Sequence, residues 1–113
     1  MQAQTMDSRT KKRSERLEQL IRIYESGQVS ELMDQTLDKL FSVEAATVQS
    51  DIDELRADLL KFEEIYSMKS EIFYAKFEAG EMGDDADLIE WASYFDMYRN
   101  AKNRLAALSG DAV

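Results

Sequence analysis

The sequence predicts an all-α protein of four helices, in which a long helical hairpin or coiled coil carries a short connector helix. Three observations predict this fold class. The 113 residues include no proline and only four glycines, so few positions can break a helix. Apolar residues recur at helical spacing along most of the chain. One stretch of about 37 residues contains no helix breaker, which corresponds to roughly 55 Å of helix.

The first element is a helix that follows a polar beginning. Residues 1–12 show no apolar period, so we predict a flexible polar and basic tail there and a single helical domain over residues 13–110. The helix is expected to start near Lys12 and to end at Gly27, which can adopt the left-handed conformation of a helix cap. Its apolar face comprises Leu17, Leu20, Ile21 and Tyr24.

The second element is the long helix, which Ser30 is expected to cap and which continues to about Ser67. Its apolar residues alternate between spacings of four and three, the pattern of a coiled-coil seam. The seam comprises Phe41, Ala45, Val48, Ile52, Leu55, Leu59, Phe62 and Tyr66. An upstream stripe lies one residue out of phase with it and comprises Met33, Leu37 and Leu40. A shift of the seam is therefore predicted near Leu40 and Phe41.

The third and fourth elements follow a turn at Ser67. A short helix, capped by Ser67 or Ser70, is expected to end at Gly80. Asp84 or Asp85 should then cap a last helix over residues 86–108. That helix carries an aromatic stripe and should fold back antiparallel along the long helix.

The apolar seam predicts a surface that binds other helices. Because the last helix is too short to cover the whole long helix, we predict a homodimer or a higher homo-oligomer. For the aromatic stripe we expect a place in the core or in a subunit interface, and a ligand-stacking shelf or a binding hot spot is the alternative. The first is favoured because matching aromatic partners are present at Phe62, Tyr66, Phe73 and Phe77. The predicted interface comprises Met33, Leu37, Leu40, Phe41, Ala45, Val48, Ile52, Leu55, Leu59, Phe62, Tyr66, Trp91 and Tyr98.

Charge is distributed unevenly along the chain. The net charge is -9, and five basic against two acidic residues give the first sixteen residues about +3, so the remainder carries about −12. An acidic body repels nucleic acid and favours a basic protein partner, although solubility alone also explains the acidity. Contact with nucleic acid is expected only through a basic arm, for which a solvated helix start is the simpler explanation. The arm comprises Arg9, Lys11, Lys12, Arg13 and Arg16.

The residue types argue against catalysis. Without cysteine or histidine the chain has no thiolate chemistry, no ordinary zinc site and no serine–histidine dyad, so we predict no enzyme, no catalytic residue, no cofactor and no metal site. Carboxylates of the last helix start suggest one alternative, a magnesium-dependent nucleotide pyrophosphohydrolase, but helix capping explains them more simply. They are Asp84, Asp85, Asp87 and Glu90. No apolar run reaches the roughly 20 residues of a membrane span, so a cytoplasmic protein is expected.

The stretch from Leu59 to Tyr98 resembles a group of small uncharacterised bacterial helical proteins. The shared residues are Phe62, Glu63, Tyr66, Met68, Ser70, Glu71, Phe73, Tyr74, Phe77, Ala79, Gly80, Glu81, Gly83, Asp84, Asp85, Ala86, Asp87, Glu90, Trp91, Ala92, Met97 and Tyr98. This chain differs from the group at Ser67, where a glycine is usual, and at Phe95-Asp96. The group resembles the antitoxin half of toxin–antitoxin gene pairs, which implies a protein-binding helical module that neutralises a toxin. A self-assembling coiled-coil structural protein is the alternative.

Overall fold

The computed structural model describes residues 8–110. Within these residues it contains four helices: α1 (Ser8–Glu25), α2 (Glu31–Tyr66), α3 (Ser70–Glu78) and α4 (Ala86–Ser109). The predicted all-α class is confirmed, and so is the hairpin of α2 and α4 with α3 as its connector. None of the four helices combines the length and the hydrophobicity that a membrane span requires.

The chain divides between Asp38 and Lys39 into two compact units. The two units differ in where their apolar side chains are buried. All ten buried apolar side chains lie in the second unit, whereas residues 8–38 contain no buried side chain. The packing that defines a core is therefore confined to the second unit.

In the first unit, α1 starts earlier than predicted. It begins at Ser8, four residues before Lys12, so residues 8–12 are helical; residues 1–7 lie outside the described residues. Polar residues with good helix propensity continue the helix toward the N-terminus without an apolar period. The start of the apolar pattern therefore does not mark the start of the helix.

The loop between α1 and α2 forms as predicted. Gly27 ends α1 in the left-handed conformation with φ of 74°. The hydroxyl of Ser30 accepts a hydrogen bond of 3.1 Å from the backbone N–H of Met33, which is the expected N-cap of α2. The Tyr24 hydroxyl donates a hydrogen bond of 2.8 Å to Asp34 Oδ1 and so ties the end of α1 to the start of α2. We call this pair of helical segments, residues 8–38, the N-terminal hairpin.

In the second unit, α2 and α4 run antiparallel. The direction follows from contacts spaced along both helices: Glu44 approaches Arg104 at 3.8 Å, and the Arg56 guanidinium donates a hydrogen bond of 3.0 Å to the Tyr98 hydroxyl. Further along, the Phe62 and Trp91 rings stack with centroids 5.6 Å apart. A higher residue number on α2 thus meets a lower one on α4.

The seam of α2 is buried in its middle and exposed at its ends. Val48, Ile52 and Leu59 are buried, whereas Phe41 is 51% exposed and Tyr66 is 37% exposed. The helix continues without a break through Leu40 and Phe41, where the apolar stripe changes phase, and the division between the two units falls next to this position. The phase change is therefore accommodated without unwinding the helix.

The turn after α2 differs from the prediction in its capping. Ser67 adopts a left-handed conformation with φ of 51°, the conformation for which glycine is favoured. Neither Ser67 nor Ser70 caps α3, because Lys69 holds the N-cap position and makes no side-chain cap hydrogen bond. Ser70 is instead the first residue of α3, and its hydroxyl accepts a buried hydrogen bond from Trp91.

The two ends of α4 follow the sequence closely. Asp85 holds the N-cap position as predicted, but its side chain makes no cap hydrogen bond; its carbonyl accepts hydrogen bonds from the N–H groups of Leu88 and Ile89. The helix ends at Ser109, one residue beyond the predicted end. Gly110 then closes it with φ of 79°.

Candidate protein-binding surfaces

The predicted interface residues fall into three groups by exposure. Those buried within the chain are Val48, Ile52, Leu59, Trp91 and Tyr98. Those half-buried are Met33, Leu37, Ala45, Leu55 and Phe62. Those exposed are Leu40, Phe41 and Tyr66. The first group fills the core of the second unit, so the surface that remains for another molecule is formed by the other two groups.

The N-terminal hairpin carries four of the thirteen exposed large apolar side chains of residues 8–110: Leu17, Ile21, Tyr24 and Leu32. Leu17 is 60% exposed, Ile21 55% and Leu32 74%. An open groove of about 290 Å³ runs between the two helical segments, and we call it the hairpin groove. It is lined by Leu20, Leu32, Met33, Thr36 and Leu37. Four of its five lining residues are large and apolar, so water in this groove meets few hydrogen-bonding groups.

The hydrogen bond of Tyr24 to Asp34 joins the two helical segments of the N-terminal hairpin. Partial removal of its ring from water raises the pKa of Tyr24, and the hydrogen bond to Asp34 raises it further, as do the negative charges of Asp34 and Asp38. The neutral phenol is the form that donates to the carboxylate. The hydrogen bond between the two helical segments is therefore present at neutral pH and lost when Tyr24 ionises.

A second groove lies between α2 and α4 in the second unit. It has a volume of about 420 Å³, and we call it the acidic groove. It is lined by Asp51, Glu54, Leu55, Asp58, Met97, Asn100, Ala101 and Arg104. Three carboxylates of α2 form one rim, whereas Leu55, Met97 and Ala101 supply apolar surface. Met97 is 45% exposed, so apolar surface in this groove is open to a ligand.

Trp91 anchors the junction of α2, α3 and α4. Its ring is fully buried and stacks on Phe73 with centroids 3.7 Å apart. Its indole N–H donates a hydrogen bond of 2.9 Å to the Ser70 hydroxyl, and the Ser70 backbone N–H donates to Glu63 Oε2 at 2.9 Å. The aromatic contacts were expected from the sequence, but Ser70 was expected to cap a helix. A serine adjoining a helix start carries no signal that distinguishes these two roles.

A polar cluster on α3 and α4 was also missed by sequence reasoning. The Tyr74 hydroxyl donates a hydrogen bond of 2.8 Å to Asp96, and the Arg99 guanidinium donates to the same carboxylate at 2.7 Å. The hydrogen bond from Arg99, and after it the one from Tyr74, holds the pKa of Asp96 below its usual value. The hydrogen bond that Tyr74 donates to Asp96 raises the pKa of Tyr74. The spacing of Asp96 and Arg99 at i and i+3 is a signal for their pairing, but the contribution of Tyr74 depends on tertiary packing.

The remaining predicted groups lie on exposed surface. The basic arm, Arg9 to Arg16, occupies the first part of α1 and is solvent-exposed at each of its basic residues. Asp84 and Asp85 are exposed at the start of α4. Residues 8–110 contain no group of three or more histidine, cysteine or acidic side chains placed to hold a metal ion. The pyrophosphohydrolase alternative thus remains a prediction for a metal titration to test.

The fold and the grooves place the chain among helical-hairpin proteins with exposed apolar surface. Such surface favours partner binding or oligomerisation. No family model, curated protein or solved structure matches the chain.

Proposed function

We propose that this chain is a protein-binding helical module that acts as the neutralising, antitoxin-like member of a toxin–antitoxin pair. The protein-binding part of this proposal rests on one observation, that more large apolar side chains are exposed than are buried. Thirteen large hydrophobic residues are exposed within residues 8–110, against ten hydrophobic residues that are buried. Single exposed apolar residues are normal on a protein, but this many beside so small a core, with Leu32 and Met97 lining the two grooves, are typical of surfaces that bind other proteins.

The acidic groove supports a basic partner. The groove carries three carboxylates of α2, at Asp51, Glu54 and Asp58. The first and the last are seven residues apart, which is about 10 Å along the helix and equals about two turns of a docked helix. A partner helix that presents apolar side chains to Leu55 and Met97 would bring its own basic residues to these carboxylates. Helix-in-groove binding uses this combination of apolar anchors and flanking charge.

The antitoxin part rests on the sequence resemblance and on charge. Residues 39–113 carry a net charge of −8 from eight basic and sixteen acidic residues. A toxin that acts on RNA or DNA needs a basic surface for phosphate contacts, and an acidic helical protein can cover that surface. The proposal therefore specifies a basic partner whose active surface is blocked by the second unit.

Co-expression tests this function. The chain is produced together with the product of the neighbouring gene, and complex formation and cell growth are measured. We expect a copurifying complex and growth rescue by the natural chain, and loss of both for Glu54→Lys with Asp58→Lys. Glu81→Lys with Asp84→Lys makes the same change in net charge away from the groove and should rescue growth. Absence of a complex and of rescue with the natural chain would reject the antitoxin function.

Self-assembly into a larger scaffold is the second candidate function. It is favoured by α1, which carries four large apolar side chains on one face and has no buried residue. Light scattering on the purified chain distinguishes the two candidates, because a scaffold would give large oligomers whose size grows with concentration, whereas a dedicated partner-binding module gives a small defined species.

A further inference from the structure

We infer that a second copy of this chain covers the hairpin groove, so that two N-terminal hairpins form a four-helix bundle. This inference rests on the proposed protein-binding function and names the partner for one of its surfaces. The predicted homodimer acquires a defined interface in this way: α1 and residues 31–38 of each copy, with the second unit left outside it.

The exposed area of the N-terminal hairpin requires cover from outside it. Two helical segments joined by a short loop bury only the side chains between them, and here even Leu20, Met33 and Leu37 are partly buried and none of them is fully enclosed. Leu17 and Ile21 of α1 and Leu32 of α2 remain more than half exposed. A second hairpin laid against this face is the smallest addition that encloses both helical segments, and it gives the four-helix arrangement common among small helical proteins.

The charges of the N-terminal hairpin are complementary to a second copy of itself. α1 carries six basic and three acidic residues, a net charge of +3, whereas residues 31–38 carry Glu31, Asp34 and Asp38 and no basic residue, a net charge of −3. In a bundle of two hairpins with the α1 helices on one diagonal, each α1 borders the α2 segments of both copies. Opposite charges then meet at every edge of the bundle, while two adjacent α1 helices would repel each other.

This pairing also closes on itself. A two-fold axis brings the same surface of both copies together, so each hairpin groove receives apolar side chains from the other copy and no groove is left open. A basic partner of the kind proposed for the acidic groove does not fit here, because α1 itself is basic. The two surfaces therefore select different molecules.

A charge exchange between two variants of the full chain tests the interface. In the first variant, Arg13→Glu with Arg16→Glu gives α1 a net charge of −1 beside the unchanged acidic residues 31–38. In the second, Glu31→Lys with Asp38→Lys gives residues 31–38 a net charge of +1 beside the unchanged basic α1. Sedimentation velocity should show that the natural 13.0 kDa chain is a dimer. For each variant alone, the dissociation constant of the dimer should be roughly tenfold or more above that of the natural chain.

The equimolar mixture of the two variants is the decisive sample. In a mixed dimer each α1 meets an α2 segment of opposite charge on the other copy, so we expect the mixture to regain dimers that contain one chain of each kind. Fluorescence of Trp91, the one tryptophan of the chain, should be unchanged in every sample because Trp91 lies in the core of the second unit. Glu81→Lys with Asp84→Lys serves as the matched control and should dimerise like the natural chain.

Three results would overturn the inference: a natural chain that remains monomeric at every concentration, a dimer that neither variant weakens, or a mixture that stays monomeric although each variant has lost its dimer. None of them decides the proposed function, because complex formation and growth rescue by the neighbouring gene product are measured separately and depend on the acidic groove. Conversely, a chain that dimerises as expected but never rescues growth retains this interface and loses the antitoxin function.

Discussion

The two compact units place their apolar side chains differently although both are helical hairpins. In the second unit Trp91 and Phe73 have no exposed surface, and rings from three helices stack around them. In the N-terminal hairpin no described side chain is buried, although α1 carries a complete apolar face. Helical pattern alone therefore does not produce a core; the second unit has one because α3 and α4 bring large aromatic residues onto α2.

The difference predicts where stability is intrinsic and where it depends on another molecule. A unit with a closed core unfolds cooperatively by itself, whereas a helical pair without buried side chains gains most of its stability from whatever covers it. The N-terminal hairpin should consequently exchange its amide hydrogens faster than the second unit when the protein is dilute.

The largest expected effect comes from one substitution made in both units. Leu59→Ala should lower the free energy of unfolding by about 2–5 kcal/mol, because Leu59 is 4% exposed and its removal leaves a cavity. Leu17→Ala should change it by less than about 0.5 kcal/mol in the dilute, monomeric chain, because Leu17 is 60% exposed there. Urea unfolding of the dilute protein, followed by circular dichroism so that helices of both units are observed, measures both, and equal effects of the two substitutions would contradict the contrast between the units.

A buried hydrogen bond gives the next largest effect. Ser70→Ala should destabilise the protein by about 1–3 kcal/mol, because the indole N–H of Trp91 then has no acceptor inside the core. The measurement is urea unfolding followed by circular dichroism. In a double-mutant cycle, Trp91→Phe should remove most of the additional cost of Ser70→Ala, and strictly additive effects would show that the hydrogen bond contributes little.

The sequence predicted the helices better than their contacts. Helix ends and starts are marked by local signals, such as Gly27, Ser30 and Gly80, and the seam from Phe41 to Tyr66 follows the helical period. The number and order of the helices could therefore be predicted. The beginning of α1 at Ser8 could not, because polar residues extend a helix without leaving an apolar pattern.

The contacts that join helices depend on distances which no local pattern encodes. Arg56 looks like a solvated charge in the sequence, yet it donates a hydrogen bond to Tyr98, forty-two positions away. Ser70 looks like a helix cap and is instead the acceptor for Trp91. The surfaces were predicted only in outline for the same reason: five of the predicted interface residues are buried in the chain's own core, and only the assembled hairpin shows which of the others remain accessible.

A smaller effect of known sign is expected at the turn that opens the hairpin of the second unit. Ser67→Gly should stabilise the protein by about 0.5–1 kcal/mol, because Ser67 has φ of 51° and glycine adopts this conformation without the steric cost of a Cβ atom. Ser50→Gly, the same substitution in the middle of α2, should destabilise it by about 0.5 kcal/mol. Thermal unfolding should move in opposite directions for the two variants; a decrease in both would mean that Ser67 is not strained.

The smallest expected effect distinguishes the two units through their tyrosines. Both Tyr24 and Tyr74 donate to a carboxylate, and the pKa of each is raised above its ordinary value of about 10. A raised pKa in the folded state means that the neutral phenol contributes stability below pH 10, and that this contribution is lost as the pH rises through the folded pKa. The hydrogen bond of Tyr24 belongs to the N-terminal hairpin, whereas that of Tyr74 belongs to the second unit.

Alkaline titration of tyrosine absorbance should therefore depend on protein concentration for one residue and not for the other. Dilution that separates the two copies loosens the N-terminal hairpin, so the pKa of Tyr24 should fall toward its ordinary value while that of Tyr74 stays raised. Tyr24→Phe and Tyr74→Phe assign the two transitions, since each removes one of them. If the pKa of Tyr24 were the same at every protein concentration, the N-terminal hairpin would hold its structure without a partner. The two units would then differ in the burial of their side chains but not in their dependence on a partner for stability.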